Sequence, residues 1–458
     1  MEPRTMFGRV VVAGAGIAGL LAARVLLDHA DEVVLVEPDR ISDRPDLPRP
    51  GVPQGHHAHA LLASGQRAIE ALLPGLSAAL GAQGAPSGGG TFFTAGGYLD
   101  TGAADASLYA SRALLEGALR RVVVAHHRLR LIEGCSVAVP LLRSDRITGV
   151  RIAASAGDSI VDLAADLLVD ASGARSQTAA WLATHGFAAP PVERVDVGIR
   201  YASRYLKRDR SDLGGRMFFS VSPSPVQRRA CGVLAQEGDR WIVTLIGYFG
   251  DQPPLDDAGF AAFARTFPVP EVADLIERAQ PLGPIRGYAF AADRRLHYER
   301  AARLPDGLLV IGDALANFSP VYGQGMSVAA LHALALRRCL AQGQAGLEQR
   351  FFRAAAAVID APWTLAAGND RQMQPGGPHG GLVARLRSRW LRRVLQTAHH
   401  DAVVAERFLR VARLLAPPRT LLAPAVAGRV LLAGARRAAA PAVSGRLRAP
   451  PSARRSAP

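Results

Sequence analysis

Apolar and polar positions along the chain fall into blocks that read as strand, turn, helix and strand. Residues 10–13 form a short apolar run suited to a buried strand, and 17–28 carry apolar residues at helical spacing. A second buried strand at 33–36 completes that first unit. Pro45, Pro48, Pro50 and Pro53 make 44–55 a loop with fixed kinks. Residues 61–72 read as a helix, and the Gly-rich stretch 81–97 as irregular or short-strand structure. At 111–124, Ser111 is placed as an N-cap ahead of Leu114, Leu115, Ala118, Leu119 and Val122 at helical spacing. Strands follow at 129–132, 137–142, 147–153 and 167–169.

From about 187 to 285 the pattern changes. Strand-like runs at 197–205 and 241–247 precede a helical patch at 259–267, which reads as a β-rich layer inserted into the first fold. A buried strand returns at 308–311, followed by a loop and a helix at 327–340. Beyond about 380 come Arg-striped helices. Arg407, Arg410 and Arg413 face away from Val404, Phe408, Val411 and Leu415, the pattern of a helix docked on its own protein, with a membrane surface as second choice. The expected class is α/β. A Rossmann-like domain spans 1–186 and 286–360, and a β-sheet domain is inserted at 187–285 with help from 80–110. A helical region covers 361–434, and a basic tail, disordered by composition, covers 435–458.

Charge narrows the functional classes. The 458 residues carry a net +15, but sixteen Arg against Asp401 and Glu406 place +14 of it after residue 380. A body that nets only +1 is not built to wrap nucleic acid. The 49% hydrophobic content supports a large core. Cys135, Cys231 and Cys339 are odd in number and widely spaced, which fits a reducing cytoplasm and no disulfide framework. The start of the chain imitates a signal peptide, but Gly14, Gly16 and Gly19 break its apolar run. No run approaches the roughly 18 apolar residues of a membrane span.

Those glycines belong to Gly14-Ala15-Gly16-Ile17-Ala18-Gly19, between a strand and a helix. Gly14 permits a tight turn, Gly16 lets backbone approach a pyrophosphate, and Gly19 lets the helix pack closely. Ile17 and Ala18 open the helix whose N-terminus would face that anion. Glu37, ending the next strand, is placed to accept from ribose hydroxyls, which favours FAD or NAD. Gly312-Asp313-Ala314 follows another strand, and Pro320, Gly323, Gly325 and Met326 lead into a helix. This pair resembles the GD motif of flavoprotein hydroxylases, which implies Asp313 on the ribityl chain of FAD and backbone N–H groups at the flavin's pyrimidine edge. Asp170-Ala171-Ser172-Gly173 resembles the middle DG motif of the same enzymes. Ser172, however, stands where they carry Asp, and their following Arg is missing.

More specific are Arg49-Pro50-Gly51-Val52-Pro53-Gln54-Gly55-His56-His57-Ala58-His59, Ser111-Arg112-Ala113-Leu114-Leu115, Arg240-Trp241-Ile242-Val243-Thr244 and Arg294-Arg295-Leu296-His297-Tyr298. They resemble the flavin epoxidases of polyether antibiotic pathways (lasalocid epoxidase type), within the para-hydroxybenzoate hydroxylase and squalene epoxidase fold, from about residue 8 to 435. The resemblance implies a glutathione reductase-type FAD-binding domain, with FAD contacts by Arg112 and by the Val137 backbone near the adenine. It implies oxygen insertion from O2 through a flavin C4a-hydroperoxide, with no catalytic side chain, most readily as epoxidation of an apolar polyketide- or isoprenoid-like alkene. Electrons would come from NAD(P)H or a separate flavin reductase, and the substrate would be free or carrier-bound.

Rival readings stay open at this point: a reductase of isoprenoid double bonds, an aromatic hydroxylase, and a halogenase. The last requires a Lys beside the flavin, and the single Lys, Lys207, lies in the inserted layer. His56, His57 and His59 invite a metal, but no Asp or Glu follows at ligand spacing, so no metal is expected.

Overall fold

The computed structural model describes residues 5–41, 48–102, 107–156, 159–375 and 381–439, with side chains to 434. The Pro-rich segment 42–47 and the tail from 440 lie outside the described residues. The helix Pro424–Ala439 continues past the expected boundary at 434.

Two sheets organise the described chain. The first is parallel, in the order Leu308–Val310, Leu167–Asp170, Phe7–Ala13, Ala30–Glu37, Leu129–Glu133. Its central strands are buried on both faces, which is why 10–13 and 33–36 read as unbroken apolar runs rather than alternating ones. Helices Ile17–Leu26 and Gly325–Leu340 pack on each other, and Arg112–Val124 packs beside the first. Ser111 caps that third helix, accepting from the Leu114 N–H at 3.1 Å. A meander of Cys135–Arg143, Arg146–Ala154 and Ile160–Ala164 packs against the parallel sheet.

The second sheet has eight strands among the described residues. Its order is Ala316–Asn317, Arg286–Leu296, Val192–Lys207, Arg240–Gly247, Arg229–Gln236, Phe218–Val221, Gly90–Thr94, Gly97–Asp100. It therefore takes in Arg286–Leu296, beyond the 187–285 expected for the insert, because that strand pairs along most of Val192–Lys207. It also takes in Gly90–Thr94, whose partner Phe218–Val221 runs parallel to it. Helices Asp257–Ala264 and Glu271–Arg278 close its own apolar core around Trp241, Phe260 and Phe263.

The long helix Leu347–Met373 leads to Leu382–Ala398, Ala402–Ala412 and Pro424–Ala439. In Ala402–Ala412, Val404, Leu409 and Val411 are buried with Val394 and Leu99, while Arg407 and Arg410 are exposed. The apolar stripe of this helix thus docks on the protein itself. Among the described residues no helix is long and apolar enough to cross a membrane.

Candidate functional site

The Gly14–Gly19 turn sits where the central strand Phe7–Ala13 feeds helix Ile17–Leu26. Gly14 has φ +102°, and a Cβ there would lie 2.7 Å from the Ala171 carbonyl oxygen. A Cβ at Gly19 would collide with the carbonyl oxygen of Gly14, so helix and strand approach as closely as two backbones can. Gly16 is the N-cap, with no side chain satisfying the first N–H groups of the helix. Ile17 is buried and Ala18 half-buried behind them.

Glu37 ends the neighbouring strand, but its carboxylate is turned to the protein. It is 2% exposed, accepting from the Ala15 N–H at 2.7 Å and the Asp39 N–H at 3.0 Å, and pairing with Arg49 Nη1 at 2.7 Å. A ribose would share this carboxylate with Arg49. Arg49 is the hub of this cluster. Its Nη1 also meets Asp39 at 3.1 Å, its Nε meets Glu116 at 2.6 Å, and Nη2 lies 3.5 Å from where a Cβ on Gly16 would sit. Burial works against the charge of Arg49, but Glu116 and Glu37 outweigh it and raise its pKa. Burial likewise opposes the Glu116 charge, and Arg112 with Arg49 overcomes it, holding that carboxyl below its ordinary value. The guanidinium is thus fixed by three carboxylates through Nε and Nη1, and its Nη2 is turned toward the glycine turn.

Arg112 links this cluster to the second motif. Its Nε donates to Glu116 at 3.0 Å, and its charge acts on Asp313 and His59. Asp313 lies in the turn Gly312–Ala314, just past strand Leu308–Val310. Burial raises its pKa and Arg112 opposes the rise. Asp313 Oδ1 lies 3.6 Å from the Cβ direction of Gly325, the first residue of helix Gly325–Leu340, with Met326 buried behind it. Pro320 opens a short turn ending at Gly323, where a Cβ would lie 3.2 Å from that of Ala60. Backbone of the 320–323 loop and of the 57–60 segment therefore meet.

Val137 lies on strand Cys135–Arg143, which packs beside strand Ala30–Glu37. It is half-buried, and the strand register shifts between it and Val139. The middle motif is stitched to itself: Asp170 accepts from Ser172 N–H at 2.9 Å, Ser172 Oγ at 2.5 Å, Thr178 Oγ1 at 2.5 Å, and Ser176 Oγ. That arrangement is a strand-to-helix turn holding itself in shape.

In front of the 320–323 loop opens a cavity of about 770 Å³, large enough for a drug-sized molecule. His57, Tyr109, Phe218, Ile246, Tyr322 and Leu391 mark its walls, which draw on both sheets' connections and the C-terminal helices. His57 Nδ1 bonds Ser203 Oγ at 2.7 Å and its ring lies against Tyr201 and Tyr288. Burial and the neighbouring histidines push its pKa down to about 3, and burial with Arg112 pushes His59 down to about 4. Both are neutral wall groups. No group of three His, Cys, Asp or Glu side chains placed to hold a metal is found among the described residues.

The fold is shared with solved structures of flavin-dependent halogenases and a monooxygenase. The chain is similar in structure to the flavin-dependent brominase Bmp2 (TM-score 0.64, 16% identity, 94% of this chain and 99% of that one). It is similar to p-nitrophenol 4-monooxygenase PnpA from Pseudomonas putida DLL-E4 (0.61, 16%, 91% and 100%). It is also similar to the myxobacterial chondrochloren halogenase CndH (0.61, 18%, 90% and 97%). No family model matches the sequence. It is 32% identical over 426 residues to Protein Rv3254 of Mycobacterium tuberculosis, covering 87% of this chain and 88% of that protein. The chain belongs to the family of that protein.

Proposed function

We propose that the protein is an FAD-dependent monooxygenase that adds one oxygen atom from O2 to an alkene of an apolar polyketide- or isoprenoid-like substrate. The observation that carries this reading is a juxtaposition. Arg49 and the Gly14–Gly19 turn lie at one end of a continuous site, Asp313 and Arg112 at its middle, and the 320–323 loop beside the apolar cavity at the other. The glycine turn and Arg49 would take the pyrophosphate, Asp313 the ribityl hydroxyls, and the N–H groups opening helix Gly325–Leu340 the flavin's polar edge. When bound, reduced flavin supplies the activation of O2. The chain's part is to hold the substrate against that edge and keep water out, which the aromatic and aliphatic cavity walls favour. Electrons would come from NAD(P)H or a partner flavin reductase. The self-bonded Asp170 turn favours the partner, since it presents no free carboxylate to a nicotinamide.

A halogenase reading is disfavoured by the position of Lys207, which is exposed at the end of strand Val192–Lys207 and outside the cavity wall. The test is turnover of a polyene with purified protein, FAD, a reductant and isotopically heavy O2, read by mass spectrometry. One heavy oxygen atom in the product supports the proposal. Two added hydrogens would establish the double-bond reductase instead, and no turnover a binding protein.

Asp313→Ala removes a charged acceptor, a hydrogen bond worth about 1.5–3 kcal/mol. The expected result is a loss of FAD affinity of roughly tenfold or more, measured by quenching of flavin fluorescence. Unchanged affinity would mean that Asp313 does not touch the cofactor.

A further inference from the structure

Directly behind the 320–323 loop two carboxyl groups meet without a cation between them. Asp293 comes from strand Arg286–Leu296 and Asp370 from helix Leu347–Met373, and both are 0% exposed. Asp370 Oδ1 accepts from Tyr322 OH at 2.6 Å and from Tyr248 OH at 3.3 Å. Asp293 Oδ1 accepts from the Ser319 N–H at 2.5 Å. The Oδ2 atom of each acid finds no donor elsewhere in the described protein, and the two carboxyls interact directly. Two carboxylates this close and this dry cannot both be ionised, so a proton must lie between them.

The surrounding charges do not relieve the pair. Arg371 acts on Asp293 across space, but its guanidinium is bonded to Glu193 at 2.5 Å. The other titratable groups facing the pair are phenols: Tyr322 on the loop, Tyr248, and Tyr201 on strand Val192–Lys207. Burial pushes the Asp370 carboxyl well above the usual range, with the Asp293 charge adding to it. Burial brings Asp293 up to about 6.

We infer that Asp293 and Asp370 share one proton, and that this bridge positions the loop that would meet the flavin. The two acids grip that loop at both ends, Asp293 through the backbone of Ser319 and Asp370 through the side chain of Tyr322. Both are positioning residues, since neither faces the cavity; Tyr322 lies between them and its space. The role assigned to the loop rests on the flavin reading above, whereas the shared proton does not. The sign of the pH dependence follows. A carboxyl whose pKa is raised in the folded protein stabilises the fold most at low pH and less as pH rises through the raised value. Loss of the shared proton would place two charges in a dry site and release the loop.

Two readouts on the full chain test this. Infrared spectroscopy of wild type at neutral pH should show a protonated buried carboxyl, absent from Asp370→Asn. If wild type lacks the band, the shared proton is refuted. FAD affinity of wild type should fall by about tenfold or more as pH is raised from neutrality to the alkaline limit of the native fold. Asp370→Asn, whose amide can donate to Asp293 and accept from Tyr322, should bind FAD with little change over that range. Asp370→Ala should bind weakly throughout that range while keeping a cooperative thermal transition. Parallel pH profiles for wild type and Asp370→Asn, or wild-type affinity in Asp370→Ala, would overturn the positioning role. A wild type that shows the carboxyl band but binds no FAD would support the shared proton and refute the flavin reading.

Discussion

Gly16→Val is expected to give a folded, colourless protein. The backbone at Gly16 is extended (φ −74°), so a branched residue suits it, and its Cβ would meet nothing closer than Arg49 Nη2 at 3.5 Å. Replacing a glycine N-cap costs the helix no more than about 1 kcal/mol. The isopropyl group would, however, fill the space between the turn and Arg49 proposed for the pyrophosphate. FAD affinity should fall by roughly a hundredfold or more, equivalent to about 2.7 kcal/mol. Flavin absorbance after reconstitution, read beside the thermal midpoint, checks both halves. Normal flavin content in a folded Gly16→Val would remove the dinucleotide reading. Gly19→Ala is the useful contrast, because its Cβ collides with Gly14 backbone and should damage folding as well as binding.

Arg49→Ala should be strongly destabilising. Arg49, Glu37 and Glu116 side chains are 11%, 3% and 4% exposed, so screening by water is slight. Removing the cation leaves Glu37 and Asp39 without their partner, and Glu116 dependent on Arg112 and Arg120. Breaking a buried charge pair from one side typically costs about 3–5 kcal/mol. Arg49→Lys keeps the charge but not the fork, and should recover only part of the loss. The pH dependence has a definite sign. The folded pKa of Glu116 is lowered, so its contribution is present above its ordinary value of 4.5 and lost as pH falls through the folded one. The stability gap between wild type and Arg49→Ala should therefore be widest near neutrality and shrink below about pH 4.5. Denaturant midpoints at neutral and acidic pH measure it, and a gap that is small or insensitive to pH would show that the cluster carries little.

The parts of this site that are legible in sequence are those set by short-range backbone geometry. The spacing of Gly14, Gly16 and Gly19 announces itself because strand, turn and helix are consecutive in the chain. Ser111 as N-cap and Asp313 after its strand are visible for the same reason. Arg49 is not, since its partners Glu37, Asp39 and Glu116 come from separate segments; only the i,i+4 pair of Arg112 and Glu116 leaves a local trace. Asp293 and Asp370 likewise meet only in the folded chain, where helix Leu347–Met373 packs on strand Val192–Lys207, the sheet neighbour of Arg286–Leu296. No periodicity encodes that. Glu37 shows a subtler gap: its position was readable, but not that Arg49 and the Ala15 N–H engage its carboxylate. The parallel pairing of Gly90–Thr94 with Phe218–Val221 spans a separation no local pattern can signal. Turn-rich composition at 81–97 shows only that strands are short there.

The most direct test of the account is an equilibrium titration of the full-length chain with FAD, followed by the flavin difference spectrum. The expected result is saturation at one FAD per chain, weakened binding in Asp313→Ala, and none in Gly16→Val at the same concentrations. A chain that leaves the flavin spectrum unchanged, or a Gly16→Val protein that titrates like wild type, would contradict it.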